Sequence, residues 1–189
     1  MGFLKKLFGN VEKANKGEIP VEEIVPPFTV DLVEEADDYW RQMEQSLLIN
    51  AVKAAGGPEA VERAFVHTNF KENQETFELF YQVNGQLLSW IEMDATVVDK
   101  ISNQLLPQAA EVARAVNENY EEANVPVIQY AMLQFETATM AWFGRKLTTA
   151  SPEAQLTFEE LVSGWRAILE QEVPNRPLDS DRPFPYFEV

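Results

Sequence analysis

Cysteine is absent from all 189 residues. Disulfides and thiolate metal sites are thereby excluded, and redox usage says nothing of compartment. Histidine occurs once, as His67. One imidazole supplies neither a histidine-rich metal set nor a recognisable carboxylate–histidine–nucleophile triad. Positive charge is scarce: 15 Lys and Arg stand against 31 Asp and Glu, a net charge of −16. A nucleic-acid backbone needs clustered cations, so nucleic acid is not an expected partner. A basic protein is compatible with this charge, which also favours solubility. No apolar run reaches the ~20 residues that span a bilayer. There is no HExxH, no phosphate-cradling glycine loop and no nucleophile beside a base. The sequence points to no catalytic residue, cofactor or metal ligand, and a non-enzymatic chain is expected.

What is present is a foldable core. Hydrophobic residues make up 46% of the chain, enough for one domain at this length. The organising stretch is residues 76–93, TFELFYQVNGQLLSWIEM. It reads as two strands joined by Asn84 and Gly85, the pair a type I′ turn wants because both central residues need positive φ. Two-residue closure pairs Val83 with Gln86. Phe77, Leu79, Tyr81, Leu88 and Trp90 then share one face, and Phe80, Leu87, Ser89 and Ile91 the other. Both faces are greasy, unlike a sheet with one side in water. One face should meet helices. The other needs cover from the chain or from a partner, so Phe80, Leu87 and Ile91 are the expected partner-facing residues.

The remaining chain divides around this hairpin. Residues 1–30 form an expected arm and linker, 31–173 a single α+β domain, and 174–189 an extended proline-rich tail. The start, MGFLKKLFG, lacks the long apolar core and cleavage site of a secretory signal, and Lys6 breaks the myristoylation pattern. It reads as a frayed or docked arm rather than a membrane contact, because so short a helix is marginal in water. No stable membrane association is expected.

Thr29 or Asp31 can cap a helix over 32–55, whose apolar stripe is Ala36, Trp40, Met43, Leu47, Ala51 and Ala55. Glu34, Glu35, Asp37 and Asp38 suit the positive end of its dipole. Gly56, Gly57 and Pro58 stop it. A strand rich in β-formers but poorly alternating follows over 61–70 and holds His67. Asp94 can cap the next helix, which Pro107 kinks or restarts and which ends near Ala123. A second hairpin covers 127–135 and 140–146. Its Met and aromatic residues, Tyr130, Met132, Trp142 and Phe143, read as core. Thr157 with Glu160 forms a capping box for a last helix over 158–172. Gly164 inside that helix suggests a close neighbour. In the tail, Tyr186 and Phe187 are candidates to dock on the domain or on another protein. The element order αβββαββα argues α+β with an antiparallel sheet packed against helices.

That order, in a small acidic chain, resembles the type III secretion chaperone fold and the bacterial YbjN-like family that shares it. The matching segments are FELFYQVNGQLLSWIEM, then LLPQAAEVARAVNENYEEANVPV with its helix running into Val116 and Asn117. The hairpin VIQYAMLQFETATMAWFGRKL and the helix opened by LTFEELVSGWRAIL complete the match. The resemblance covers about residues 32–172. It implies a cytoplasmic, non-enzymatic, protein-binding domain, chaperone-like or regulatory in stress or sensory transduction. A homodimer is expected, with a further protein partner of unknown identity. A second resemblance is to YezG-like immunity proteins, which are acidic and hold a basic toxin. There Glu34, Glu35, Asp37, Asp38, Glu121 and Glu122 would supply complementary charge.

Overall fold

A computed structural model of the chain describes residues 31–71, 76–179 and 183–184. Its elements run α1 (Leu32–Ala54), β1 (Arg63–Asn69), β2 (Thr76–Val83), β3 (Gln86–Ser89), α2 (Ala95–Lys100), α3 (Leu106–Glu122), β4 (Ile128–Glu136), β5 (Ala141–Thr148) and α4 (Phe158–Glu172). The fold is α+β. Five antiparallel strands form one sheet in the order β3-β2-β1-β4-β5.

The hairpin of β2 and β3 closes as its turn chemistry dictates. Asn84 and Gly85 have φ of 50° and 74°, and Val83 pairs with Gln86. The Gly85 N–H donates to the Glu62 carboxylate at 2.9 Å, which ties the turn to the start of β1. Both faces of the ribbon are covered. Phe77, Leu79 and Tyr81 pack into the large core beneath α1 and α3 with Leu47, Ala51 and Val116. Phe80 packs on the other side with Phe65, Trp165, Leu169 and Phe184. Two-sided cover explains why β1 does not alternate: Arg63 through Thr68 are all buried.

Local signals place the helices. The Asp31 carboxylate caps α1, accepting from Val33 N–H at 3.0 Å and Glu34 N–H at 3.3 Å. Thr29 lies outside the described residues. Asp94 stands at the N-cap of α2 but its side chain makes no cap hydrogen bond. Pro107 has no N–H to continue the ladder, and the preceding turn widens into a π-helical segment, Ile101–Leu105, with Leu106 N–H reaching Ile101 O. Asn117 bridges α3 to β4 with both ends of its amide, donating to and accepting from Ile128 at 3.0 Å each. The Thr157–Glu160 capping box opens α4.

Two expectations are corrected. The third strand does not run to Met93. It stops at Ser89, and Trp90–Glu92 form a tight helical turn because the Glu92 carboxylate caps the Ser89 N–H at 2.7 Å. Trp90 still packs on the α1 side, while Ile91 is carried out to 65% exposure. Gly164 has no close neighbour, since nothing beyond its own stretch of helix lies within 4 Å of where its Cβ would stand. The close approach is at Gly144, where an added Cβ would overlap the Glu44 carboxylate.

Candidate functional site

The partner-facing residues expected from sequence do not form one surface. Phe80 is buried at 2% exposure, under the Trp165 ring at 6.0 Å between centroids, so α4 of the same chain supplies its cover. Leu87 is half-buried against that cluster, and Ile91 alone is open. Tyr186 and Phe187 lie outside the described residues.

A concave feature of the described surface is a groove between α1 and the segment from α2 to α3. One section, about 260 Å³, is floored by Met43, Leu47, Leu105, Ala109 and Val112 and rimmed by Ser46, Asn50, Gln108 and Glu111. An adjoining section of about 300 Å³ shares Asn50, Leu105 and Gln108 and ends at Lys53 and Lys100. The floor is apolar and the middle rim is hydroxyl and amide. Cations close one end and a carboxylate the other. The π-helical turn helps build it: a wider turn changes which side chains face α1, and Leu105 at its end is buried in the groove floor.

Three polar clusters lie elsewhere. At one end of α1, Tyr120 donates to Asp37 at 2.6 Å, and Lys146 reaches both Asp37 and the Tyr120 oxygen at 2.5 Å. Those hydrogen bonds hold the Asp37 carboxyl below its ordinary range. Burial and the neighbouring Asp37 push the Tyr120 phenol up. The phenol stays neutral, and the trio latches α1, α3 and β5 together. Two turns on, Glu44 is buried against Gly144. Burial lifts its carboxyl to about 7, against a hydrogen bond from Trp40 and the charges of Lys146 and Arg41.

On the opposite face, Gln82, Arg63 and Glu136 form one row across β2, β1 and β4. Arg63 is ion-paired to Glu136 with both side chains fully buried, and donates to Gln82 at 2.6 Å. Gln134 donates to the other Glu136 oxygen. Burial pushes the Glu136 carboxyl up even so, opposed by Arg63.

The lone His67 is fully buried with neither ring nitrogen hydrogen-bonded. Trp165 and Phe158 meet it edge-on at 5.0 and 5.2 Å. Burial lowers its pKa to about 3, which keeps the imidazole neutral and shielded from any substrate.

Signals for these clusters were present in the chain. Glu44 falls on the apolar stripe of α1, four residues after Trp40, and Arg63, Gln82, Gln134 and Glu136 sit inside strands with covered faces. Pairing them needs the register, which the sequence states only for β2 and β3. Raised carboxyls do not converge: Glu44 lies under α1, whereas Glu136 and Glu78 lie on the other face, at opposite ends of β1. Among the described residues no three His, Asp or Glu side chains gather to hold a metal ion, and no helix is long and apolar enough to cross a membrane. Compared with known proteins, the chain matches no family model and no curated sequence.

Proposed function

We propose that the chain is a non-enzymatic protein-binding module, chaperone-like or regulatory as its resemblance to the YbjN-like family implies, working in the cytoplasm as a homodimer. The supporting observation is the groove between α1 and α3. Its apolar floor with amide and hydroxyl rims suits an amphipathic helix laid along it. From Met43 to Lys53 the groove runs ten residues of α1, about 15 Å or three turns of a partner helix. Lys53 and Lys100 would receive carboxylates at one end, and Glu111 a cation at the other. Val112 is the exposed part of the groove floor, at 39%, so Val112→Glu should leave folding intact and set a carboxylate in the apolar floor. Affinity capture from the native cell extract is expected to retain a protein on the wild-type chain that the variant loses. Identical captured sets would end the proposal, and a monomer at all concentrations in sedimentation would end its dimeric part.

A second reading, an immunity protein for a basic toxin, is favoured by one specific feature. Helix α3 ends on exposed Glu118, Glu121 and Glu122 with no basic residue in its last turn, although carboxylates there oppose the helix dipole. The Tyr120–Asp37 bond sets them beside exposed Glu34, Glu35 and Asp38 of α1. A toxin gene next to this chain's own gene is the outcome expected of that reading. A neighbourhood without one would remove most of its weight.

A further inference from the structure

The described C-terminal residues occupy a socket on the α4 face, away from the groove. Phe184 is fully buried there. Its ring meets Phe65 edge-on at 5.3 Å. Two guanidinium groups lie over it, Arg176 at 4.2 Å and Arg63 at 5.5 Å from the ring centroid. The Phe184 N–H donates to Gln134 Oε1 at 3.1 Å. Arg63 donates to Pro177 O at 2.6 Å, and Arg176 to Pro183 O at 2.7 Å.

Two features set this apart from ordinary core packing. The polar contacts run to backbone atoms of the segment, so they recognise an extended peptide, and one aromatic ring supplies the specificity. Two of the groups that make them are interior ones. Arg63 and Gln134 are fully covered with the segment in place, and both also engage Glu136. Removing the segment strips a hydrogen-bond partner from each. Such a socket tolerates a change of occupant better than a vacancy.

We infer that this socket is a peptide-recognition site for a proline–phenylalanine segment, filled in cis by Pro183 and Phe184, and that the same segment on a second copy of the chain is its ligand in trans. The chain's own segment is the one peptide in the structure that meets every contact, and a second copy presents it again. Exchanging identical segments between copies loses and regains the same contacts. Tethering gives the cis segment an effective concentration on the order of millimolar, which masks the site in the intact chain until the plug is weakened.

The test uses full-length chains and a labelled peptide of the sequence RPLDSDRPFPYFEV, residues 176–189. By anisotropy the peptide should bind the Phe184→Ala chain at least about 50-fold more tightly than the wild-type chain. A peptide with alanine for that phenylalanine should not bind. If circular dichroism shows Phe184→Ala unfolded, Arg176→Ala weakens the plug without emptying the core, and about tenfold tighter peptide binding than wild type is expected. A folded variant that binds no more tightly than wild type overturns the site. For the second copy, the Phe184→Ala chain keeps the socket and lacks the plug, while a Gln134→Leu chain keeps the plug and has a damaged socket. Mixed, they should give a species of twice the mass that either gives alone. No such species at concentrations that saturate the peptide overturns the assignment to a second copy.

Discussion

Replacing Glu44 with glutamine is expected to stabilise the fold at pH 8 by roughly 3 kcal/mol and to change little near pH 4. Glu44 is 7% exposed, and burial raises its carboxyl from the ordinary 4.5 to about 7. Between those values the folded chain holds a proton that the unfolded chain has released. Stability from this group is therefore complete below about pH 4.5 and is lost as pH rises through 7. Lifting one carboxyl by that interval corresponds to the stated magnitude at 1.36 kcal/mol per pH unit. Glutamine has the shape of the protonated acid, and its carbonyl still accepts from Trp40. The assay is urea unfolding of both chains from pH 4 to 8, read as the difference in midpoint at constant slope. Other titrating groups cancel in that difference. A Glu44→Gln effect that is the same at both ends of the range, or a loss of stability at pH 8, would refute the assignment of a strained, buried carboxyl.

Gly144→Ala should cost about 1–3 kcal/mol by overlap with the Glu44 carboxylate, and much less in a Glu44→Ala background; additive costs in thermal unfolding would show that the two do not touch. His67→Leu is expected to be neutral or to stabilise by about 1 kcal/mol, because it removes two buried nitrogens that lack partners. As pH falls below 6.5 the unfolded chain protonates its imidazole while the folded one, depressed to about 3, does not, so the wild type should lose stability toward acid that His67→Leu keeps. Arg63→Met should cost about 3–5 kcal/mol by leaving Glu136 buried and unpaired. Adding Glu136→Leu should recover much of that loss, and a double variant as unstable as the single one would contradict the pairing.

The element order was legible because its determinants are local. Asn84 and Gly85 fix a turn that few residue pairs can adopt, Asp31 and the Thr157–Glu160 box fix two helix starts, and the stripe of Ala36, Trp40, Met43 and Leu47 fixes the inner face of α1. The alternation of Phe77, Leu79 and Tyr81 against Phe80 told that the ribbon has two dry sides. Which body makes the second side dry was not local information. It depends on α4 returning some eighty residues later to set Trp165 over Phe80, and on Phe184 entering beside it. The sequence alone offered an outside partner for Phe80 equally well, because exposed and internally covered apolar residues look identical in one dimension. Likewise the pairing of Arg63 with Glu136, seventy-three residues apart, and the meeting of Glu44 with Gly144 follow from strand register and helix placement. Long-range packing decides those, and it alone turned ordinary charged residues into buried, interlocked ones.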